Sequence, residues 1–415
     1  MTPEIKQRIE QIRRGEVPER YVKTALGLAP ANWKRYTFGD IYTERKEPGD
    51  ENLPLLMVSI HSGVSDGEVD AAELPKQVKR IEDKSQYKKA VSGDLVFNMM
   101  RAWQGAIGTV RTTGMVSPAY IVAEPNDKAY PLFMDYYSRT PQMINQIDRQ
   151  SYGVTDFRKR LYWDSFAPIS CTLPPIEEQQ KIAAILTTQD RVIELKEKRL
   201  AEKQRQKKYL MQQLLTGKKR LPGFNGAWKT DCLGKLFFER KETNCENIEM
   251  LAITGTQGII PRKELDLKDN SSEDKSKYLR VCIGDIGYNT MRMWQGVSAY
   301  SNYEGIVSPA YTILKPSSSI NAKYFAYLFK MSEIVFLFYR FSQGLVDDTR
   351  NLKYENFKKI KVCYPPDIKE QTAIAEVLSA ADREIELLQQ DIEQEKQKKK
   401  ALMQLLLTGI VRVKT

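Results

Sequence analysis

Residues 174–217, PPIEEQQKIAAILTTQDRVIELKEKRLAEKQRQKKYLMQQLLTG, return at 365–409 as PPDIKEQTAIAEVLSAADREIELLQQDIEQEKQKKKALMQLLLTG. A self-match of this length marks a duplicated unit, and it has to be read before any local signal. The segments upstream repeat in the same order. NWKRYTFGDIYTERKE at 32–47 answers AWKTDCLGKLFFERKE at 227–242, and GDLVFNMMRAWQG at 93–105 answers GDIGYNTMRMWQG at 284–296. MVSPAY at 115–120 answers IVSPAY at 306–311. Trp33 and Trp228 are 195 positions apart, whereas Gly93 and Gly284 are 191 apart, so this is one duplication with short insertions.

Each long segment opens on a double proline, which cannot continue a central strand and readily precedes a helix. In the second segment Ile374, Leu378, Ala381, Ile385, Leu388, Ile392, Glu395, Lys399, Leu402 and Leu406 step alternately by four and three. The matching row in the first is Ile182, Leu186, Gln189, Ile193, Lys196, Leu200, Lys203, Lys207, Leu210 and Leu214. Such a row predicts two long helices with a heptad seam and a polar middle, the polar layers fixing register and pairing. Gly217 and Gly409 are the expected left-handed caps. Between the helices, short β-type runs (55–60, 94–98, 120–122, 311–314) alternate with helical stretches near 131–148 and 321–340, which reads as a compact α+β unit.

Chain direction then sets the expected assembly. A helix of this length carries the chain roughly 60 Å at 1.5 Å per residue. To bury its seam against the first helix, the second has to run back. The expected fold class is therefore α+β: two tandem α+β units separated by two long antiparallel coiled-coil helices, in a pseudo-two-fold, nearly circular organisation. The divisions are 1–30 (an N-terminal helix with Ile5, Ile9 and Ile12 at helical spacing, and a lead-in), 31–172, 173–220, 221–363 and 364–415.

Composition narrows the function. The chain has 415 residues, 41% hydrophobic and 28% charged, which suits an ordinary globular protein of two or three domains. No apolar run reaches the roughly 18–20 residues of a membrane helix. The charged N-terminus is unlike a secretory signal, and five cysteines without framework spacing predict reduced thiols and a cytoplasmic protein. A net charge of +11 favours a polyanionic partner, since phosphates neutralised by Lys and Arg release counterions. Two readers on a rigid helical ruler would suit two short DNA half-sites separated by an unread spacer.

Two variable units alternating with two near-identical helices that open PPxxEQ-like and close LMQxLLTG resemble the specificity subunit of type I restriction–modification systems. The GDxxxNxMRxWQG and VSPAY segments are similar to one subtype of its target recognition domains. The resemblance covers almost the whole chain. It implies a non-catalytic protein that binds double-stranded DNA carrying an asymmetric bipartite target, scaffolding two adenine-N6 methyltransferase (modification) subunits and the restriction subunits. It also implies that S-adenosylmethionine, ATP and Mg are cofactors of those partners and that this chain needs none.

The residues are consistent with a non-enzyme. A single histidine, His61, excludes histidine-rich metal sites and most Ser/His or Cys/His triads. There is no GxxxxGK[ST] phosphate loop. SPAY (117–120, 308–311) lacks the second proline of an adenine methyltransferase pocket in both copies and reads as the lead-in to a core strand. Glu44-Arg45-Lys46 and Glu82-Asp83-Lys84 look superficially like nuclease motifs, but 64 basic and 53 acidic residues produce such matches by chance.

For DNA contact the leading candidates are Arg101, Trp103 and Gln104 with their partners Arg292, Trp294 and Gln295. Arg suits guanine or phosphate, Gln suits adenine, and the following Gly permits close approach. Each Trp is equally readable as core packing. Sequence choice is expected in the divergent loops 61–84 and 254–277, with His61, Lys76, Lys79, Arg80 and Lys84 against Arg262, Lys263, Lys268 and Lys275. A third candidate pairs SYGVTDFRKRL (151–161) with SQGLVDDTRNL (342–352), similar to the family's Gly-to-Arg stretch; Arg158 and Arg160 do not align with Arg350. For the partner subunits, the outward flanks of the seam supply Gln179, Asp190 and Glu194, answered by Gln371, Asp382 and Glu386. Two other classes stay open: a self-contained methyltransferase–nuclease, and a coiled-coil scaffold without DNA readout.

Overall fold

A computed structural model describes residues 3–24, 27–50, 52–61, 63–65, 84–155, 158–245, 248–255, 257–265 and 274–413. The chain divides into two compact units, Met1–Leu195 with Ile392–Thr415, and Lys196–Asp391. The division passes through both long helices, Ile176–Leu214 and Ile368–Leu407.

In the first unit, helix α1 (Pro3–Arg13) precedes strands β1 (Lys34–Thr37) and β2 (Tyr42–Arg45). Strands β3 (Leu95–Asn98), β4 (Ile107–Thr109) and β5 (Tyr120–Pro125) follow. Next come helices α2 (Pro131–Tyr137) and α3 (Pro141–Arg149), strand β6 (Ser170–Leu173) and the long helix α4 (Ile176–Leu214). An antiparallel sheet in the order β2-β5-β3-β4 forms the centre, and β6 pairs with β1 in a separate ribbon. The helical stretch near 131–148 is two helices, because Pro141 cannot donate to a preceding turn and restarts the helix with Thr140 as its cap. Phe38, Phe97, Phe133, Tyr136 and Phe166 fill the core, and the Cys171 thiol, buried among them, is pushed up to about 12.

The second unit repeats the plan. Strands β7 (Lys229–Cys232), β8 (Phe237–Glu239), β9 (Ile286–Asn289), β10 (Ser298–Tyr300) and β11 (Tyr311–Pro316) lead to helices α5 (Ala322–Leu328) and α6 (Ser332–Phe341). Strand β12 (Lys361–Tyr364) and helix α7 (Ile368–Leu407) close it. The sheet order is β8-β11-β9-β10, and β7 pairs with β12. In both units the Arg of ERKE clamps the Asp of the GD motif. Arg45 donates to Asp94 at 2.8 and 3.3 Å, and Arg240 to Asp285 at 2.8 and 3.1 Å, both carboxylates being buried. The Glu44-Arg45-Lys46 run is thus a structural brace.

Within each unit, halves of α4 and α7 pair antiparallel. In the second unit Lys196 meets Asp391, Lys203 meets Glu384 and Lys207 meets Asp382, one number rising as the other falls. In the first, Gln189 donates to Glu395 at 2.6 Å and Lys399 pairs with Asp190 at 2.5 Å. The polar seam positions therefore find carboxylates, which fixes register because a shift by one turn would leave half-buried lysines unpaired. Both helices end on a left-handed glycine, Gly217 and Gly409, each at φ +71. A Cβ at Gly409 would lie 2.5 Å from Pro30 Cδ, and one at Gly217 would lie 3.3 Å from the Trp228 ring. Gly409→Ala is expected to cost about 2 kcal/mol or more and Gly217→Ala about 1 kcal/mol, read from denaturant midpoints.

Candidate nucleic-acid interface

The strand ends at Asn98 and Asn289 each start the same turn. Asn98 Oδ1 accepts the Met100 N–H at 2.9 Å, and Asn289 Oδ1 accepts that of Met291 at 3.0 Å, the side-chain turn for which Asn is suited. One 3-10 turn follows, Ala102–Gln104 or Met293–Gln295, closed by a left-handed glycine, Gly105 at φ +101 or Gly296 at φ +80. The indole N–H of Trp103 donates to Met100 O at 3.0 Å, and that of Trp294 to Met291 O at 2.9 Å. Each ring is half-buried, Trp103 packing on the core. Arg101, Gln104, Arg292 and Gln295 are exposed. Tryptophan therefore fixes the turn, leaving Arg and Gln presented, and Arg292 Nη1 lies 3.4 Å from Gln295 Oε1. Behind the second turn, Lys330 donates to Gly296 O at 2.8 Å, and burial pulls its ammonium down to about 8. SPAY leads into β5 and β11 through Tyr120 and Tyr311.

The stretches at 151–161 and 342–352 lie against these turns. Leu161 N donates to Met99 O at 2.9 Å, and Leu352 N to Thr290 O at 2.8 Å. Arg158 is exposed, and Arg160 donates to Lys159 O at 2.9 Å. Arg350 stacks 4.1 Å over the Tyr339 ring, which meets Trp294 edge-on at 6.2 Å. Its true counterpart is Lys159, placed 4.8 Å over the Trp103 ring and 2.7 Å from Asp148. The two cations hold the same place in their stretches, and what they share is an aromatic platform and not a residue identity.

In the divergent loops His61 is exposed, Lys275 is exposed and Lys263 pairs with Glu249 at 2.6 Å. Arg262 lines a cleft of about 230 Å³ together with Asn289, Ser308 and Tyr311. Lys84 begins a 3-10 turn (Lys84–Gln86). Lys76, Lys79, Arg80 and Lys268 lie outside the described residues.

A model of the type I restriction modification DNA specificity domain matches residues 72–205 and 233–397. The chain belongs to that family. It holds two specificity domains, one in each half of the duplication. It is 24% identical over 446 residues to a putative type I restriction enzyme MjaX specificity subunit of Methanocaldococcus jannaschii, covering 96% of this chain and 98% of that protein. The MjaVIII specificity subunit of the same organism is 25% identical, covering 80% and 83%. Among solved structures, a type I restriction–modification S subunit from M. genitalium superposes with a TM-score of 0.54 at 12% identity, covering 92% of this chain and 97% of that one. A chain from a structure of the assembly and conformational transition of the type I R-M system gives 0.52 at 16% identity, covering 92% and 99%. These two likenesses show a shared fold.

The flanks of the specificity domains' long helices correct one expectation. Gln179 and Gln371 do not face outward: they are 1% and 0% exposed. Gln179 accepts the Tyr130 N–H at 2.8 Å and donates to Lys128 O and Pro174 O, while Gln371 accepts the Asn321 N–H at 2.7 Å and donates to Pro365 O. Asp190 and Asp382 are half-exposed, and each accepts a hydroxyl from its own α+β unit, Tyr136 at 2.6 Å and Tyr327 at 2.7 Å. The reason is that the α+β unit packs on the flank of the helix start, so positions beside the seam are covered as well. Glu194 and Glu386 are exposed, facing Arg191 and Gln390 on their own helices.

Sequence reading also passed over a clasp. Arg412 makes a fork to Glu178 at 2.6 and 2.7 Å, and Arg220 one to Glu370 at 2.6 and 2.7 Å. Both arginines sit three residues after the capping glycine and both glutamates stand in the EQ pair, so the repeat held the signal. Each EQ pair thus serves two contacts: Glu holds the end of the other long helix, and Gln latches the α+β unit.

Proposed function

We propose that this chain is the DNA-reading subunit of a type I restriction–modification complex, each specificity domain reading one half of a bipartite target. The carrying observation is the paired Arg–x–x–Gln turn, built identically in two domains of a DNA specificity family. Arg and Gln offer the donors that read guanine and adenine edges or grip phosphate. The differing contents of 61–84 and 254–277 make the two half-sites unlike. Helices of 39 and 40 residues set the unread spacer between them. Modification and restriction subunits supply methyl transfer and cleavage in the cytoplasm, with S-adenosylmethionine, ATP and Mg bound on those subunits. Asp190, Glu194, Asp382 and Glu386 are the candidates for gripping the modification subunits.

The test starts from methylation mapping of DNA in cells carrying the system, which supplies the target. Duplexes that differ only in spacer length are then titrated with the assembled complex. A change of one or two base pairs is expected to weaken binding at least tenfold. Equal affinity across spacers would rule out the ruler.

A further inference from the structure

Each domain carries a closed arm beside its Arg–x–x–Gln turn. In the first, Tyr152 and Arg160 exchange backbone hydrogen bonds at 2.9 and 2.8 Å; in the second, Gln343 and Asn351 do so at 2.8 Å. Glycine permits the closure. A Cβ at Gly153 would lie 2.5 Å from the Arg158 backbone, and one at Gly344, at φ +136, would lie 2.6 Å from Thr349 O. The residue that follows is Val154 in one arm, 93% exposed, and Leu345 in the other, 100% exposed.

A single exposed aliphatic side chain needs no explanation. Here the same position is apolar and fully exposed in two copies whose neighbouring residues have diverged (VTDF against LVDD). Met100 and Met291, in the turns on which the arms are rooted, are exposed too, at 40% and 49%. Each arm and the turn it is rooted on also carry cations: Arg101, Arg158 and Lys159 in one domain, Arg292 and Arg350 in the other, with Lys159 held by Asp148 at 2.7 Å and Arg350 by Asp347 at 2.8 Å. A ligand that is anionic outside and apolar within fits both features, and duplex DNA, with phosphates flanking stacked bases and thymine methyl groups, is such a ligand.

We propose that Val154 and Leu345 are the apolar base contacts of the two domains, one for each half-site, the cations beside them positioning the arms on phosphate. This rests on the DNA reading above. The test uses the full complex, the mapped duplex, and the variants Val154→Ala, Leu345→Ala and both together. Because these side chains are exposed, the melting temperature is expected to stay unchanged. DNA affinity is expected to fall about tenfold for each tip, with the salt dependence unaltered because no charge is removed. Two further probes separate the sources of the contact. A 2-aminopurine signal that the variants abolish marks insertion between bases. A loss on replacing thymine by uracil that is absent in the variants marks methyl readout. Either supports the proposal. Unchanged DNA affinity overturns it, and weaker assembly with the modification subunits at unchanged DNA affinity would assign the tips to a protein partner instead. Failure of the unsubstituted complex to bind the mapped duplex would overturn the DNA reading itself, and this contact with it.

Discussion

Replacing Arg412 by methionine is expected to destabilise the first unit by about 3 kcal/mol, at the low end of the cost of breaking a buried ion pair. The carboxylate left behind, Glu178, is 0% exposed and keeps the Trp33 indole N–H at 3.3 Å. One neutral donor does not replace a two-pronged guanidinium. Arg220→Met is expected to act likewise on Glu370, which is 2% exposed. Lysine at either position keeps the charge but loses the fork, so Arg412→Lys is expected to fall between methionine and the unsubstituted chain. Denaturant midpoints measure the cost, and amide exchange should quicken in the unit that carries the substitution. An unchanged midpoint for Arg412→Met would mean that Glu178 is rehydrated without loss, and would remove the clasp from the account of stability.

The second large effect is expected on DNA. The double substitution Arg101→Ala with Gln104→Ala should weaken binding of the mapped duplex about a hundredfold, as should Arg292→Ala with Gln295→Ala, since each base contact is worth about 1–3 kcal/mol. These side chains are exposed, so the melting temperature should stay fixed. Salt dependence separates the two uses of the arginine. Loss of a phosphate grip lowers the salt slope by about one and weakens all sequences alike, while loss of a base contact relaxes choice at one position of one half-site. Trp103→Ala should behave differently. Its ring packs on the core and its N–H holds Met100 O, so the first loss is of stability, with DNA binding falling because the turn is no longer held. Intact stability with lost binding in Trp103→Ala would make the indole itself a contact.

Much of the architecture was legible in the repeat. Matching two copies located both α+β units, both helices and the equivalent turns, because a duplicated sequence records which positions share an environment. Heptad spacing named the seam residues, and the glycine after each LLT marked the caps. What failed was any reading that treated helix flanks as solvent. Gln179 and Asp190 are polar and lie off the seam, which on an isolated helix means exposed. Here the globular unit covers Gln179, which satisfies buried backbone groups, and reaches the half-exposed Asp190 through the Tyr136 hydroxyl. Lys159 was legible as well, since it holds the same ninth place in its stretch as Arg350 does; only the ring beneath each cation, Trp103 in one domain and Tyr339 in the other, needed the structure.

By itself, then, the sequence determined the duplication, the helix periodicity, the turn chemistry of the Asn-to-Gly loops and the class of protein. These depend on local spacing and on likeness between copies, and both are written along the chain. Tertiary structure decided which charges are partners: Glu178 with Arg412, Glu370 with Arg220, and the lysines of the seam with their carboxylates. Those pairs join residues about 150 to 230 positions apart. Coulombic attraction is set by distance and burial, and antiparallel helices bring together residues that no spacing rule connects.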